Sequence, residues 1–138
     1  MKVRVWLDNF AFQPTRAHVS DAGYDLYSRD YETLYVNDSV EFDTGVHMQI
    51  PYGYAGVIIG RSGLNVNHGI HVHGLVDANY LGSIKVRLYN HGDEVYKVKA
   101  GDRIAQIFFV RLPTTELVLW DKSTCDERGA AGHGSTGR

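Results

Sequence analysis

The sequence predicts an all-β domain, a sandwich or barrel built from many short strands. Three observations favour this class. Apolar and polar residues alternate with a period of two in several segments, turn-forming residues separate those segments at close spacing, and no segment keeps a helical apolar stripe over three turns. Many short strands with frequent turns are typical of sandwiches and barrels.

The individual strands follow from the same patterns in chain order. Residues 3–7, 46–50 and 84–88 alternate between apolar and polar side chains, so each segment is predicted to bury one face. Residues 54–59 and 104–110 are almost continuously apolar, which predicts strands buried on both faces. Clusters of Asn, Asp, Pro and Gly lie between the segments and supply the turns.

Composition excludes several classes of protein. The chain has 138 residues, a mass of 15.5 kDa, a net charge of −2 and a pI near 6.4, which argues against a general nucleic-acid or membrane binder. The single cysteine, Cys125, cannot form an intrachain disulfide, and the first residues lack the apolar core of a signal peptide. We therefore expect a cytoplasmic protein, in the host cytoplasm if the gene is viral.

Size and glycine content together pose a question about the binding site. A domain this small buries only about two-thirds of its surface, so one chain can hardly enclose a deep pocket. We expect a β-sandwich body over residues 1–124 and a glycine-rich arm over residues 125–138. The arm is either a disordered tail or a segment that wraps a polyphosphate, because its glycines allow close backbone approach and its arginines offer bidentate contacts.

Two internal segments carry polar residues that suit metal or phosphate. Asp25 lies inside an apolar and aromatic run, where a carboxylate can hold Mg²⁺ directly or through water. The alternative is an ordinary turn residue. Residues 60–64, Gly-Arg-Ser-Gly-Leu, supply backbone donors, a hydroxyl and a guanidinium in a tight turn, which suits phosphates without the spacing of a Walker loop.

Two further segments carry residues that suit water and sugar contacts. Asp77 and Tyr80 lie at a turn between two predicted strands. They are either a water-orienting base beside a ring that stacks on a sugar, or ordinary residues of a turn and its rim. Gln106 lies among aliphatic residues and must be hydrogen-bonded, as a structural bridge or as a ligand contact. His71 and His73 form a pair, but no further ligand has zinc spacing, so an ordinary strand or loop pair is favoured.

Taken in order, the four internal segments and the C-terminal one resemble the five motifs of the trimeric dUTP diphosphatase (dUTPase) family. The resemblance covers residues 22–138 and ends in Arg-Gly-x-x-Gly-aromatic-Gly-Ser-Thr-Gly. It implies a dUTPase-like β-sandwich or jelly-roll-type barrel with a flexible C-terminal arm. It also implies a homotrimer whose active sites are shared between subunits and which, with Mg²⁺, hydrolyses dUTP to dUMP and pyrophosphate. That reaction limits uracil in DNA and supplies dUMP for thymidylate synthesis.

The resemblance also assigns roles within the body of the chain. Asp25 matches the residue that holds Mg²⁺ through water. Asp77 matches the catalytic carboxylate that orients water for in-line attack on the α-phosphorus. Tyr80 matches the ring packed under the deoxyribose, where a ribose 2′-hydroxyl would not fit.

The other substrate contacts implied by the resemblance fall in three motifs and in the arm. The second motif contacts phosphates, the third reads uracil through the backbone of a hairpin, and the fourth binds the phosphate chain or the attacking water. The arm contacts the γ-phosphate and stacks a ring on uracil. In order, these residues are Arg61, Ser62, Gly63, Leu75, Val76, Lys85, Gln106, Arg128, His133, Gly134, Ser135 and Thr136.

The chain departs from the family pattern at two places that concern the base. His133 stands where Phe is common; an imidazole still stacks, but its contact becomes pH-sensitive near neutrality. The stretch between Arg61 and Asp77 is shorter than in many relatives. The uracil-contacting Asn of those relatives therefore aligns ambiguously here, near His71 or His73.

Two alternatives stay open at this point. A dCTP deaminase shares the fold, but deamination needs a general acid/base Glu near the pyrimidine, and residues 67–81 contain none. A nucleotide-binding regulatory protein that engages a protein partner is the second alternative, and no residue identifies such a partner.

Overall fold

Eleven β-strands and one short helix make up the structure, a computed structural model that describes residues 1–121. In chain order the elements are β1 (Arg4–Leu7), β2 (Tyr24–Tyr27), β3 (Glu32–Leu34), β4 (Ser39–Asp43), β5 (Val46–Gln49), β6 (Tyr54–Ile59), α1 (Ser62–His68), β7 (Ile70–His71), β8 (His73–Val76), β9 (Lys85–Asn90), β10 (Tyr96–Val98) and β11 (Arg103–Arg111). The prediction of an all-β domain is confirmed. Within residues 1–121, no helix has the length and apolar character needed to cross a membrane.

The strands form four antiparallel sheets. The largest has the order β2-β11-β6-β8, and a second has the order β4-β9-β7. Two further pairs, β1 with β5 and β3 with β10, complete the set. Strand β11 is the longest, with nine residues, and pairs with β2 on one side and β6 on the other. It thereby brings the residues of β2 and the end of β6 to the same region.

The predicted core strands bury the faces that their periodicity indicates. In β5 and the residue after it, Val46, Met48 and Ile50 are at most 3% exposed. The alternation from residue 84 onward likewise buries Ile84 and Val86. Strands β6 and β11 contribute further buried residues, but the prediction that both of their faces are buried is only partly correct: Val57 and residues 108–110 are half-buried, and Ile59 is 39% exposed. These side chains form one continuous apolar core that fixes the position of the loops between the strands.

The N-terminal strand is where the burial prediction is wrong. The sequence indicates that Val5 and Leu7 face the core, but each is 42% exposed. Strand β1 pairs only with β5, in a two-stranded sheet. Within the described residues its apolar side chains therefore lie at the surface, and only Val3 packs partly against the core.

The short helix α1 was not predicted. It spans seven residues, and only Leu64 among them is buried. It ends at Gly69, whose φ of 66° lies in the left-handed region and whose N–H donates to the carbonyl of Asn65 at 2.9 Å. Two turns with one buried residue give too weak a stripe to be recognised from periodicity.

The segment from β8 to β9 is not a hairpin, which corrects the expectation for residues 74–86. Strand β8 pairs with β6, whereas β9 pairs with β4 and, at its far end, with β7. The two arms therefore enter different sheets and diverge from the turn between them. Their divergence leaves a gap that two paired strands would have closed.

Candidate active site

One group of predicted site residues lines a surface cavity of about 280 Å³. We call it the basic cavity. It is lined by Arg16, Ala17, Asp21, Ala22, Gly23, Asp25, Arg61, Ser62, Arg103 and Gln106. Three of these side chains are arginines and two are aspartates, so the cavity carries a net positive charge that suits an anionic ligand.

Strand register places Asp25 in this cavity. Asp25 on β2 lies opposite Gln106 on β11, and Gln106 in turn lies opposite the end of β6, just before Arg61. The Nε atom of Arg61 donates to Oδ1 of Asp25 at 3.1 Å, and Nε of Arg103 lies 3.6 Å from Oδ2. The carboxylate is 18% exposed, so it is held in place while one side still faces the cavity.

Gln106 acts as a bridge and also lines the cavity. Its Nε2 donates to the carbonyl of Gly60 at 3.2 Å, which ties β11 to the segment that precedes α1. Its side chain is only partly buried and forms part of the cavity wall. Both readings of this glutamine therefore have a basis in the structure.

Residues 61–63 take up the turn into α1. Arg61 has an extended backbone at the start of the helix, and Ser62 is exposed. A side-chain Cβ built on Gly63 would meet nothing within 4 Å. Because the described chain leaves that space empty, any need for glycine at this position comes from a bound molecule or a neighbouring chain.

Two arginines of the basic cavity were missed by the sequence reasoning. Arg103 follows a turn, directly before the buried part of β11, and pairs with Asp25. Arg16 precedes the first motif and stacks its guanidinium over the ring of Tyr24, 4.8 Å from the centroid. The signal for Arg103 lies in its spacing: it is three residues before Gln106, on a strand already assigned to the site.

The second group of predicted site residues lines a separate pocket of about 270 Å³, which we call the cleft between β8 and β9. Its walls are Ile58, Gly74, Leu75, Val76, Asp77, Tyr80, Ser83, Ile84 and Lys85. Strand β8 is the edge of its sheet, and β9 has a ladder partner on only one side before Tyr89. Backbone donors and acceptors on two strand edges therefore border the cleft. Backbone groups in this arrangement can form specific hydrogen bonds with a planar ligand that carries its own donors and acceptors.

The turn beside the cleft carries the predicted carboxylate and ring. The N–H of Tyr80 donates to the carbonyl of Asp77 at 3.2 Å, and Asn79 between them has a left-handed φ of 56°. The Asp77 side chain is exposed, and the Tyr80 ring is 46% exposed. The Tyr80 hydroxyl donates to the carbonyl of Ser83 at 3.3 Å, which holds the ring along the loop.

The two groups do not meet within one chain. The basic cavity and the cleft have no wall residue in common. Neither His71 nor His73 lines either pocket; their rings stand near Tyr89 and His91 on the outer face of β7 and β9. The arm residues Arg128, His133, Gly134, Ser135 and Thr136 lie outside the described residues.

We predict that Gly82→Ala displaces the ring of Tyr80. A Cβ at Gly82 would lie 2.3 Å from the Tyr80 hydroxyl oxygen, so the ring must move. A shift of about 1 Å in a positioning group can cost up to about 100-fold in rate, and we expect about a tenfold loss of kcat/KM with little change in Tm. Steady-state kinetics measure kcat/KM, and thermal melts measure Tm. Gly53→Ala is a poor control because the φ of Gly53 is positive. Gly63→Ala is unsuitable because Gly63 has an assigned role in substrate binding. Thr114→Ala, at an exposed residue that lines neither pocket, serves as the control instead. An unchanged kcat/KM in Gly82→Ala would contradict the prediction.

The chain is similar to known proteins over nearly its whole length. The family model described as dUTPase matches residues 11–137. The deoxyuridine 5′-triphosphate nucleotidohydrolase of Yarrowia lipolytica is 41% identical over 135 residues, covering 96% of this chain and 86% of that protein. The enzyme of the same name from Eremothecium gossypii is 38% identical, covering 99% of this chain and 90% of that protein.

Solved structures of dUTPases share the fold of this chain. The Staphylococcus bacteriophage 80alpha dUTPase with dUPNHPP superimposes with a TM-score of 0.91 at 28% identity, covering 99% of both chains. A mutant dUTPase from phage phi11 of S. aureus, described for the coordination of a structural Mg(II) ion, has a TM-score of 0.82 at 25% identity and covers 88% of this chain and 98% of that one. The expected jelly-roll-type fold is thereby confirmed.

Proposed function

Because the chain belongs to the dUTPase family, we propose that it hydrolyses dUTP to dUMP and pyrophosphate through the two pockets described above. The observation that carries this proposal is the cleft between β8 and β9, which has Asp77 and Tyr80 on its wall. The cleft is small, bordered by backbone groups and open at the turn. It therefore suits a pyrimidine with its sugar near the turn.

The base would enter the cleft between the two diverging strands. Backbone N–H and C=O groups along Leu75, Val76 and Lys85 would pair with the polar edge of uracil. Cytosine presents the opposite pattern at its amino group and would leave buried polar groups unpaired. Ile58 and Ile84 limit the width of the cleft from the core side, since they are 3% and 2% exposed. That limit disfavours the 5-methyl group of thymine.

The sugar and the attacking water would lie at the turn. The ring of Tyr80 would pack against the deoxyribose and leave no room for a ribose 2′-hydroxyl. The exposed carboxylate of Asp77 would accept a proton from water and orient that water towards the α-phosphorus. The bond from the α-phosphorus to its bridging oxygen breaks, and pyrophosphate leaves.

The triphosphate would occupy the basic cavity. Phosphoryl transfer depends on charge neutralisation and positioning more than on covalent help. Arg61 supplies a guanidinium and Ser62 a hydroxyl, while Gln106 would contact the phosphate chain or the water. Arg103 and Arg16 add positive charge at the same wall.

The residues present fit a magnesium ion that arrives with the nucleotide. Mg²⁺ is commonly held by one or two carboxylates, water and substrate phosphates. Within residues 1–121 no three His, Cys, Asp or Glu side chains are grouped to hold a metal, so Asp25, which faces the basic cavity, would hold the ion through water. When bound, Mg²⁺ supplies charge that neutralises the phosphate oxygens.

A homotrimer would complete the site. The cleft and the basic cavity are separate in one chain, so the base half from one subunit would meet the phosphate half of its neighbour. Large apolar side chains on β1 and at the end of the described chain are exposed; examples are Val5, Leu7, Leu117, Leu119 and Trp120. Burial between subunits would remove them from water.

Light scattering should report a mass of three times 15.5 kDa, and a monomer at working concentration would contradict the trimer.

The test of the function is a nucleotide panel with and without EDTA. We expect Mg²⁺-dependent release of pyrophosphate from dUTP and, under the same conditions, little from dTTP, dCTP or UTP. Comparable turnover of all four would overturn the proposal. Release of ammonia from dCTP would support the deaminase alternative, which the cleft disfavours because none of the described residues that line it is a Glu. Binding without turnover would support the regulatory alternative. Cell fractionation tests the expected cytoplasmic location.

A further inference from the structure

The loop between β8 and β9, residues 77–84, is fastened at its end by Ile84, whose N–H donates to the carbonyl of Val46 at 2.8 Å and whose carbonyl accepts from the N–H of Thr44 at 3.0 Å. Three further polar contacts hold the rest of the loop to β4, β5 and the residue after β5. The N–H of Asn79 donates to the carbonyl of Ile50 at 2.9 Å. The Nδ1 atom of His47 lies 2.8 Å from the carbonyl of Leu81. The hydroxyl of Ser83 donates to the carboxylate of Asp43. The contact from His47 falls on the residue directly after Tyr80, so it acts on the part of the loop that carries the ring.

His47 is itself held by the N-terminal segment. Its Nε2 lies 3.0 Å from Oδ1 of Asp8, just after β1, and its ring stacks on Trp6 with centroids 5.2 Å apart and planes at 13°. Among residues 1–121, Nε2 is buried without a hydrogen bond of normal geometry, and its contact with Asp8 is an ion pair when the ring is protonated. The imidazole is 15% exposed, and water therefore replaces either contact poorly.

Both nitrogens of His47 face acceptors, which favours the imidazolium. A neutral ring carries one N–H, so it can donate to Leu81 or face Asp8 favourably, but not both. The pKa of His47 is raised from 6.5. The largest cause is the contact with the Leu81 carbonyl, and the next is the contact with Asp8. Burial lowers the pKa, and the charges of Asp8 and Asp43 raise it by smaller amounts. The stacked indole also favours the cation.

We propose that His47 is a positioning residue for the reaction: its imidazolium links Asp8 to the Leu81 carbonyl and thereby fixes the loop that presents Asp77 and Tyr80 to the nucleotide. The inference rests on the proposed function of that loop. His47 lines neither pocket, so it would act through Leu81 and not on the substrate.

A pH dependence follows from the charges around His47. The facing groups are Asp8 after β1 and Asp43 on β4, and Asp43 is paired with Arg29 and lies near Lys85 on β9. Burial alone would raise the pKa of Asp43, but hydrogen bonds from Ser83 and Gly45 and the Arg29 charge lower it, so Asp43 stays ionised near neutrality. Stabilisation from the imidazolium is fully present below 6.5 and is lost as pH rises through the raised pKa of His47. We expect the loop to loosen over that range.

The experiment combines three variants with pH profiles between about pH 6 and pH 9. His47→Gln keeps a donor for Leu81 but carries no charge, and Asp8→Asn removes the partner that favours the imidazolium. His91→Gln is the matched control, since His91 is exposed and lines neither pocket. NMR titration of the His47 ring and melting curves accompany the kinetics, so that folding and protonation are measured without turnover.

We expect the wild type and His91→Gln to share an alkaline limb in kcat for dUTP. Asp8→Asn should move that limb to lower pH with kcat near the wild-type value on its acidic side. His47→Gln should remove the limb and lower kcat about tenfold, with a smaller change in KM. Identical limbs in all four proteins would overturn the inference while leaving the proposed function intact. No hydrolysis of dUTP by the wild type would instead overturn the proposed function, and a His47 pKa at or below 6.5 by NMR would overturn the inference independently of turnover.

Discussion

Asp77→Asn should lower kcat for dUTP by about 10³-fold, the middle of the range for losing a general base, while the Kd of a non-hydrolysable dUTP analogue changes little. Asn has the shape of Asp, and the turn is held by backbone contacts, with the carbonyl of Asp77 accepting from the N–H of Tyr80. The substitution therefore removes the proton acceptor and leaves the cleft as it is. Single-turnover kinetics and analogue binding measure the two effects.

Asp93→Asn is the matched control for this experiment, because Asp93 is exposed and lines neither pocket. It should keep the wild-type rate. If Asp77→Asn retained most of its activity, Asp77 would not be the water-orienting base, whatever the nucleotide panel shows. If it lost analogue binding instead, its role would be in holding the substrate.

Deletion of residues 128–138 should cost about 100-fold or more in kcat/KM and almost nothing in Tm. The deleted segment holds Arg128, Ser135 and Thr136, which the family resemblance assigns to the γ-phosphate, and His133, assigned to the base. A single charged donor removed from a phosphoryl-transfer site commonly costs about 10²-fold or more. The segment has no large aliphatic side chain to bury, so unfolding should be barely affected.

Ala131→Gly is the control for the deletion, since the family resemblance assigns no contact to Ala131. It should behave as the wild type in both kinetics and melting. Full turnover by the truncated protein would show that the arm is dispensable. A large fall in Tm would show instead that the arm contributes to the fold, contrary to its composition.

Local pattern was sufficient to predict the strands and the core face of several of them. Val46, Met48 and Ile50 alternate with polar residues because every second side chain of a strand points the same way, and all three are buried. Asp25 and Gln106 could be named because each is a polar residue in an otherwise apolar segment, and Arg61 because it lies in a glycine-rich turn that suits phosphates. The structure then places them in one cavity.

Long-range arrangement could not be predicted in the same way. Periodicity shows that Val5 and Leu7 share a face, but not whether this chain or another covers it. The turn after Asp77 looks like a hairpin because turn chemistry is local, whereas the choice of partner strand depends on the whole sheet. The ion pair of Arg103 with Asp25 joins residues 78 positions apart, and that of His47 with Asp8 joins residues 39 apart. The spacing from Gln106 points to Arg103 but not to its partner Asp25, and no local pattern in the sequence pairs His47 with Asp8.

The divergence of β8 and β9 has a consequence for how selectivity can change. The width of the cleft is the spacing of two sheets, and that spacing is set by buried residues such as Ile58 and Ile84, which belong to both the core and the cleft wall. Trimming either one to admit a bulkier base would also remove core packing, at about 1 kcal/mol for Ile→Val. If uracil binds in the cleft as proposed, discrimination between pyrimidines and resistance to unfolding would depend on the same atoms. A sequence that relaxes one of these properties also weakens the other.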